Sequence, residues 1–487
     1  MQQEFEIINQ IGLGNYLSLK WETFWANFRE PYINPDYVDW VNIVCSIIGT
    51  ICGLLVIHFA FFFIVGVFAK RRYPETDKKL KYGIIIPTRN EATVIGNLID
   101  SIKKNNYPQD KLTIFVVAHN CTDKTAKIGR EHGATVYEYN NPNECTKGYA
   151  LKYLFNQINK DYGTQNFDGF MVLDADNILD VDYISKMNDA FVDRGQKCTI
   201  TSYRHSKNFG ANPLSACYGI YWLNGCRAES RGRTVLGCST RVPGTGFIIS
   251  SHVVKDGWKY VTLTEDWEFS ADRIIEGEKI YYCDDAIFYD EQPTKLKIMW
   301  RQRVRWSRGH LLVCVTRFWD LLKGIFVRKN KDKPSCRGSM YDMMSNVFPS
   351  TLVNTIISFV KFNLYLLAPL FVKDLDFGGL MKQWAIDTLM GYLGLYIGCA
   401  LLAIFIYILE RKRIKNVSFG IKLLSILLFP IFTIINTFIV IVALFSKNLK
   451  WKTIPHTDTT DFNQLNETEA ETKAKEVTEK VTEGIEQ

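Results

Sequence analysis

The chain has 487 residues, of which 47% are apolar and 22% charged, and a formal net charge of +7. That length leaves room for one large soluble domain with membrane segments, or for two or three soluble domains. The positive charge gathers at Lys70-Arg71-Arg72, Arg301–Arg308, Lys329–Lys333 and Arg411–Lys415, a distribution that suits membrane flanks and a phosphate-bearing substrate and argues against a nucleic-acid face. Twelve cysteines at irregular spacings, with no C-x-x-C pair, exclude a disulfide framework and a Cys/His zinc site and fit a reducing cytosol.

Residues 1–40 carry scattered charges and no apolar run before a small-residue cleavage site, so they do not read as a signal peptide. Trp21, Trp25 and Phe28 allow either a helix lying in the interface or an ordinary lead-in. Residues 41–69 are almost wholly apolar and long enough to cross a bilayer as a helix. Lys70-Arg71-Arg72 behind them places the next domain in the cytosol by the positive-inside rule.

Residues 80–310 alternate between strand and helix signals. Gly83–Pro87, Leu112–Ala118, Ala134–Tyr139 and Phe170–Leu173 are short apolar strands, and Glu91–Asn105 and Lys147–Asn159 have helical spacing. A further helix is expected after Thr122, capped by it with Asp123 at its start. This alternation predicts a mainly parallel sheet with helices on both faces, whose ligands collect at the carboxyl ends of the strands. Residues 308–340 read as an interfacial helix followed by a mobile cytosolic loop, and 345–446 as three more membrane helices. Lys361 lies mid-span, where a lysine faces a polar interior, here expected to border a sugar-conducting path. The polar tail, 447–487, reads as disordered or a lone helix. Three spans would leave that tail outside, yet Lys447, Lys450 and Lys452 belong inside, so one segment is a candidate for an interfacial or re-entrant course.

Asp174 and Asp176 follow an apolar strand and project from its end. Two carboxylates so spaced can hold Mg2+ or Mn2+, which also takes diphosphate oxygens. Asp266, beside Glu265 and Trp267, is a candidate general base with Glu265 as its rival; a helix N-terminal acidic pair is the plain alternative. Arg305 can clamp a diphosphate with two parallel hydrogen bonds. Trp306 offers a flat face to a sugar ring and Gln302 both donor and acceptor; a basic amphipathic helix meeting lipid headgroups would account for the arginines alone. Lys147-Gly148 ahead of a helix can bring a cation and a close backbone to a phosphate.

Together these stretches resemble the membrane-embedded family-2 glycosyltransferases, the inverting group that includes cellulose, chitin and hyaluronan synthases. The likeness spans about residues 80–310 and the flanking spans. It rests on Ile86-Pro87-Thr88-Arg89-Asn90-Glu91, Asn120-Cys121-Thr122-Asp123, Lys147-Gly148-Tyr149-Ala150-Leu151, Asp174-Ala175-Asp176, Gly244-Thr245-Gly246, Thr264-Glu265-Asp266 and Gln302-Arg303-Val304-Arg305-Trp306. The resemblance implies an α/β fold: a GT-A type, Rossmann-like cytosolic domain inserted between transmembrane helices. It implies that Thr88, Glu91 and Asp123 hold uridine, that Lys147 and Asp174 approach the diphosphate, and that Asp176 binds the metal. Asp266 would be the base. Gln302, Arg305 and Trp306 would close over donor and acceptor, with Gly244 and Thr245 on the acceptor side. His119 stands where the family has an aspartate, which alters the uracil contact. No cyclic-dinucleotide-binding domain follows the last span, and the cellulose-synthase gating motif is not evident near Lys329–Met340.

The expected activity is a processive, inverting synthase that extends a β-linked polysaccharide from a UDP-sugar and exports it across the bilayer. UDP-glucose and a β-glucan come first on analogy alone, N-acetylglucosamine next, an alternating hyaluronan-type product third. The rival enzyme reading adds one sugar to a lipid acceptor. An inactive scaffold or transporter subunit is disfavoured by the retained Asp174, Asp176, Asp266 and Arg305. The implied partners are the donor, the growing polysaccharide and the lipid bilayer; partner subunits are left open.

Overall fold

The computed structural model describes residues 18, 20–22, 35–327, 336–415, 417–446, 456 and 458–466. Most of the N-terminal lead-in, Lys329–Pro334 of the expected loop, and Lys447, Lys450 and Lys452 lie outside them.

Two compact units are present. One combines residues up to Val56 with Ser350–Leu395. It contains the first part of helix α1 (Tyr37–Phe68), and here Tyr37 donates to the Leu364 carbonyl at 3.1 Å and Tyr365 to Asn42 Oδ1 at 2.6 Å. Lys361 holds its ammonium over the Tyr365 ring, 5.3 Å from the centroid.

The other unit, Ile57–Pro349 with Tyr396 onward, is built on one eight-stranded sheet of order β3-β2-β1-β4-β7-β6-β8-β5. In chain order come β1 (Tyr82–Thr88), α2 (Ile95–Lys103), β2 (Leu112–His119), α3 (Thr125–Glu131), β3 (Thr135–Tyr139), α4 (Lys147–Asp161), β4 (Gly169–Val172), β5 (Ile178–Leu179) and α5 (Tyr183–Asp193). After β6 (Thr199–Ser206) and α6 (Pro213–Asn224), a π-helical turn at Gly225–Ser230 leads into α7 (Arg231–Val235). Then follow β7 (Phe247–Ser250), α8 (Glu265–Ile275), β8 (Ile280–Asp290), α9 (Leu296–Phe326) and α10 (Arg337–Val347).

Every residue of β1 is buried, because its two faces meet separate cores. Tyr82, Ile84 and Ile86 pack with Leu98, Ile99 and Ile102 of α2, while Ile85 packs with Leu151, Leu154 and Phe155 of α4. A continuous apolar run such as Ile84-Ile85-Ile86 is what a doubly covered strand requires. The sheet is mainly parallel, as expected, with β7 and β5 reversed; β6 and β8 pair parallel. β1 to β4 run parallel, but β7 pairs antiparallel to both β4 and β6, and β5 antiparallel to β8. Nothing in the period-2 pattern of four-residue β7 encodes its direction.

Three corrections concern helices. The expected cap at Thr122 is not formed: Thr122 donates its backbone N–H to Asn90 Oδ1 at 2.7 Å, and α3 begins at Thr125, whose N–H reaches Asp123 Oδ1 at 3.0 Å. The stretch Gly338–Met340, expected in a loop, is helical within α10. The basic Gln302–Trp306 run lies on α9, which starts at Leu296, well before the expected residue 308.

Among the described residues, four helices are long and apolar enough to cross a membrane: α1, then α11 (Ser350–Leu367, with a 3-10 turn to Leu370), α12 (Phe377–Leu409) and α13 (Phe419–Phe445). Of these, α13 is lashed to the sheet domain. Arg303 donates to the Phe432 carbonyl at 2.6 Å with its guanidinium over the Phe432 ring, and Arg308 to the Leu444 carbonyl at 3.3 Å. Phe429 and Phe432 share a core with Tyr218 of α6.

Candidate active site

A cleft opens at the carboxyl ends of β1 and β4, where an open α/β sheet gathers its ligands. It is lined on one side by Glu91, Lys147, Asp174 and Asp176, and on the other by Gly244, Glu265, Asp266, Gln302, Arg305 and Trp306. Ten of the sequence-derived site residues therefore meet in one place.

Asp174 and Asp176 sit in the turn after β4. That turn is held by Asp174 N–H donating to Thr245 Oγ1 at 2.8 Å and to Asn177 Oδ1 at 3.1 Å, and by Thr245 donating to Asn177 Oδ1 at 2.5 Å. Thr245 thus serves the aspartate turn from within the core, 1% exposed. Lys147, first residue of α4, donates to Asp174 Oδ1 and to the Gly244 carbonyl, the latter at 2.8 Å. Gly148 makes this approach possible: a Cβ there would stand 2.3 Å from the Tyr260 carbonyl oxygen. Gly148→Ala should push α4 off that backbone at a cost of about 1–3 kcal/mol. A lower Tm together with weaker UDP binding is the expected readout, and an unchanged Tm would show the contact to be slack.

Asp176 is nearly buried. Its Oδ1 accepts from Asn177 at 3.2 Å and its Oδ2 from Glu291 N–H at 2.9 Å, leaving a free lone pair on each oxygen. Among the described residues no three His, Cys, Asp or Glu side chains stand close enough to cage an ion, and Asp174 is committed to Lys147. The donor set fits a divalent ion that brings its remaining oxygen ligands with a diphosphate, the habit of Mg2+ on one or two carboxylates; Asp176 is the residue that would hold it.

Glu265 and Asp266 form the first turn of α8, as the acidic-pair alternative has it, and both line the cleft. Asp266 Oδ1 accepts its neighbour Trp267's N–H at 2.9 Å. Burial raises both carboxyls, Glu265 up to about 7 with help from the Asp266 charge, against the pull of Lys147 and Arg305. Because the folded state holds the Glu265 proton more tightly than the unfolded chain, its stabilising contribution is complete below about 4.5 and is lost as pH rises through about 7. Glu265→Gln should flatten the fall in Tm between pH 5 and pH 8, measured by thermal unfolding in detergent; an unaltered slope would place the proton elsewhere.

Arg305 is half-buried and donates to the Leu263 carbonyl at 2.8 Å. Gln302 accepts from Tyr218 OH at 2.9 Å. Trp306 stands edge-on to Trp222 and Tyr218, with ring centroids 5.9 and 6.4 Å away.

Thr88 and Asp123 are placed differently from the rest. Thr88 is 1% exposed and donates to the Val117 carbonyl at 3.1 Å. Asp123 ties the loops after β1 and β2, accepting from Ala92 N–H at 3.1 Å as well as from Thr125. His119 is fully buried and stacks on Tyr139 at 5.2 Å. Asn90 and Asn120 take the left-handed conformation, φ 59° and 52°, at the two strand ends, a place asparagine tolerates.

Several cleft residues escaped the sequence reading. Arg204 clamps Asp290 and stacks over Trp222, 3.6 Å from the ring centroid. His310, one helical turn after Trp306, lies 3.8 Å from the Trp267 ring and is pushed down to about 3 by burial and by Arg241 and Arg305; its spacing from Trp306 was the available signal. His456 reaches the cleft from beyond the last apolar helix. Its Nδ1 lies 3.7 Å from Asp176 Oδ2 and 3.5 Å from Glu291 Oε2, and its Nε2 3.7 Å from Glu91 Oε1. Burial opposes its charge, but Asp176, Glu291 and Glu91 outweigh it and lift the imidazole to about 10.

A mixed α/β sheet with an acidic turn, a lysine-led helix and a buried carboxylate pair at one end defines a glycosyltransferase of GT-A type. Residues 80–309 match the family model described as glycosyltransferase like family 2, and the domain belongs to that family. The chain is similar to the probable glycosyltransferase YdaM of Bacillus subtilis, 28% identical over half of this chain and 58% of that protein's length. It is also similar to a poly-β-1,6-N-acetyl-D-glucosamine synthase of Staphylococcus epidermidis, 23% identical over 74% of this chain and 82% of that one. Among solved structures, the mannosyltransferase PcManGT of Pyrobaculum calidifontis, in complex with GDP-Man and Mn2+, aligns over 70% of this chain and 92% of its own at 16% identity and a TM-score of 0.47.

Proposed function

We propose that the protein is a processive, inverting synthase that builds a β-linked poly-N-acetylglucosamine from UDP-N-acetylglucosamine at a membrane surface. The observation that carries the reading is the shared cleft. Lys147, Asp176 and Arg305 face a donor diphosphate while Asp266, Gln302, Trp306 and Trp222 face an acceptor sugar. The β-glucan expectation gives way to the amino sugar because several relatives, at 22–24% identity, are named as poly-β-1,6-N-acetyl-D-glucosamine synthases, and no relative named here is a glucan synthase.

Asp266 takes the proton of the acceptor hydroxyl as its oxygen attacks the anomeric carbon from the face opposite the nucleotide. The bond to the diphosphate breaks and UDP leaves with the electron pair. Lys147 and Arg305 receive the negative charge that gathers on it. Asp176 would hold a divalent ion, which would supply further positive charge there. Trp306 and the crossing rings of Trp222 and Tyr218 give the acceptor an aromatic floor.

The described tail supports a membrane course as well. Asp458 and Thr459 bond to the catalytic domain, so tail and domain share one side and an even number of crossings separates them. In this reading α11 and α12 cross and α13, lashed by Arg303 and Arg308, lies along the interface. The Lys447, Lys450 and Lys452 conflict then disappears.

Purified protein in detergent should release UDP from UDP-N-acetylglucosamine with Mn2+ or Mg2+ and yield a polymer cleaved by a β-1,6-N-acetylglucosaminidase. Turnover on UDP-glucose alone would restore the glucan. A single labelled lipid without polymer would establish the one-sugar transferase.

A further inference from the structure

We infer that Arg241 is a positioning residue for Asp266, acting through the Trp267 ring. The inference rests on the proposed role of Asp266 as base and adds to it what holds that carboxylate in place.

Arg241 lies in the loop between α7 and β7, whose Gly244 and Thr245 already serve the other side of the cleft. Lys147 donates to the Gly244 carbonyl, and Thr245 Oγ1 accepts the Asp174 N–H. Two links tie the same loop to the start of α8. Val242 N–H donates to Ser270 Oγ at 3.0 Å, and Ser270 donates in turn to the Asp266 carbonyl at 2.7 Å. Beside this link, Arg241 holds its guanidinium over the Trp267 ring, 5.2 Å from the centroid, within the range of a cation–π attraction. The loop therefore sets the distance between the Asp174 turn and the Asp266 turn.

The guanidinium is itself anchored. Arg241 donates to Glu229 Oε2 at 3.1 Å and to Asn346 Oδ1 of α10 at 2.9 Å. Glu229 Oε2 also accepts from Arg233 at 3.1 Å, and Arg233, 1% exposed, donates through Nε to Asp342 at 2.7 Å. A satisfied network of this kind is rigid. His310 of α9 closes on the Trp267 ring as well, with centroids 3.8 Å apart. Its helix comes this near because position 309 is glycine, where a Cβ would stand 2.3 Å from Thr264 Oγ1. With the ring held by both, the Trp267 N–H keeps Asp266 Oδ1 at 2.9 Å, and the second oxygen stays turned to the cleft. The cations that lower the proton affinity of Glu265 and Asp266 are Lys147 and Arg305. What Arg241 adds is orientation.

Sugar transfer from UDP-N-acetylglucosamine by full-length protein in detergent tests this, with UDP affinity and ligand-free Tm measured on each variant. Arg241→Met should lower kcat by about ten- to a hundredfold, the cost of a misaligned reacting group, with UDP affinity kept within about twofold. The ascending limb of its pH profile should stay where it is in the wild type. Arg241→Lys, which keeps a cation for the ring and for Glu229, should recover part of the rate. In a Trp267→Leu background Arg241→Met should cost little more, because the two act in series. Trp267→Phe keeps a ring for the guanidinium and should outperform Trp267→Leu; this pair leaves Glu229 and Arg233 undisturbed and decides the matter if Arg241→Met does not fold. Unchanged kcat in folded Arg241→Met, a shifted limb, losses that multiply in the double variant, or equal rates for Trp267→Phe and Trp267→Leu would overturn the proposal. A wild type that transfers no sugar from UDP-N-acetylglucosamine or UDP-glucose would fail the functional reading itself, and the positioning role with it.

Discussion

Asp266→Asn should abolish sugar transfer, by about a thousandfold or more, while UDP binding stays within about twofold. The side chain has one oxygen held by its own helix and the other turned to the cleft. Oδ1 accepts the Trp267 N–H at 2.9 Å, whereas Oδ2 faces Gly244, where even a Cβ would stand 3.4 Å away. Gly244 adopts φ +88°, a conformation a side-chain-bearing residue resists, so the turn stays bare and the oxygen open to an acceptor. Asparagine keeps the shape and the accepting oxygen but cannot take a proton. Burial raises both Asp266 and Glu265, the latter to about 7. The pair therefore holds a proton at low pH that must be lost before either can act as base. The pH profile of kcat/KM should rise with a limb near 7, and Glu265→Gln should move that limb lower, since a like charge beside Asp266 is gone. If Asp266→Asn retained more than about a hundredth of the activity, Glu265 would become the base and Asp266 its neighbour.

The sheet's first half and most of the cleft could be read from the chain because they rest on local signals. Apolar runs end at Thr88, His119 and Asp174, and each strand delivers its next residues to the same edge. The sequence says less where contacts are distant. Thr88 satisfies its hydroxyl inside the sheet, and Asp123 spends its carboxylate joining two loops; short polar side chains at strand ends do either job, and sequence does not separate them. His119 replaces an acidic residue but stacks in the core on Tyr139, so the substitution is a packing change as much as a chemical one. His456 was invisible for a different reason. It lies in a tail whose composition reads as solvated, and the carboxylates that receive it are at Glu91, Asp176 and Glu291. No periodicity links positions that far apart.

Arg305→Ala should lower kcat by about a hundred- to a thousandfold at neutral pH, the range for losing a preorganised cation at developing charge. On α9 the arginines divide by helical angle. Arg303 turns to the Phe432 carbonyl of α13 and Arg308 to that of Leu444, while Arg305 enters the cleft and is pinned by the Leu263 carbonyl at 2.8 Å. The lipid-facing explanation for the basic run therefore fails for Arg305. In the proposed mechanism its charge does two things at once: it would receive the departing diphosphate, and it pulls down the proton affinity of Glu265 and Asp266. Removing it leaves Lys147 as their counter-charge, so the ascending limb of the pH profile should move to higher pH and part of the lost rate should return in alkaline buffer. Arg305→Lys keeps the charge but not the two-pronged donor geometry, so it should hold the limb in place without restoring the full rate. These outcomes separate the roles. A raised KM with unchanged kcat would reduce Arg305 to ground-state binding of the donor, and a lowered kcat with an unmoved limb would leave the diphosphate contact as its sole contribution.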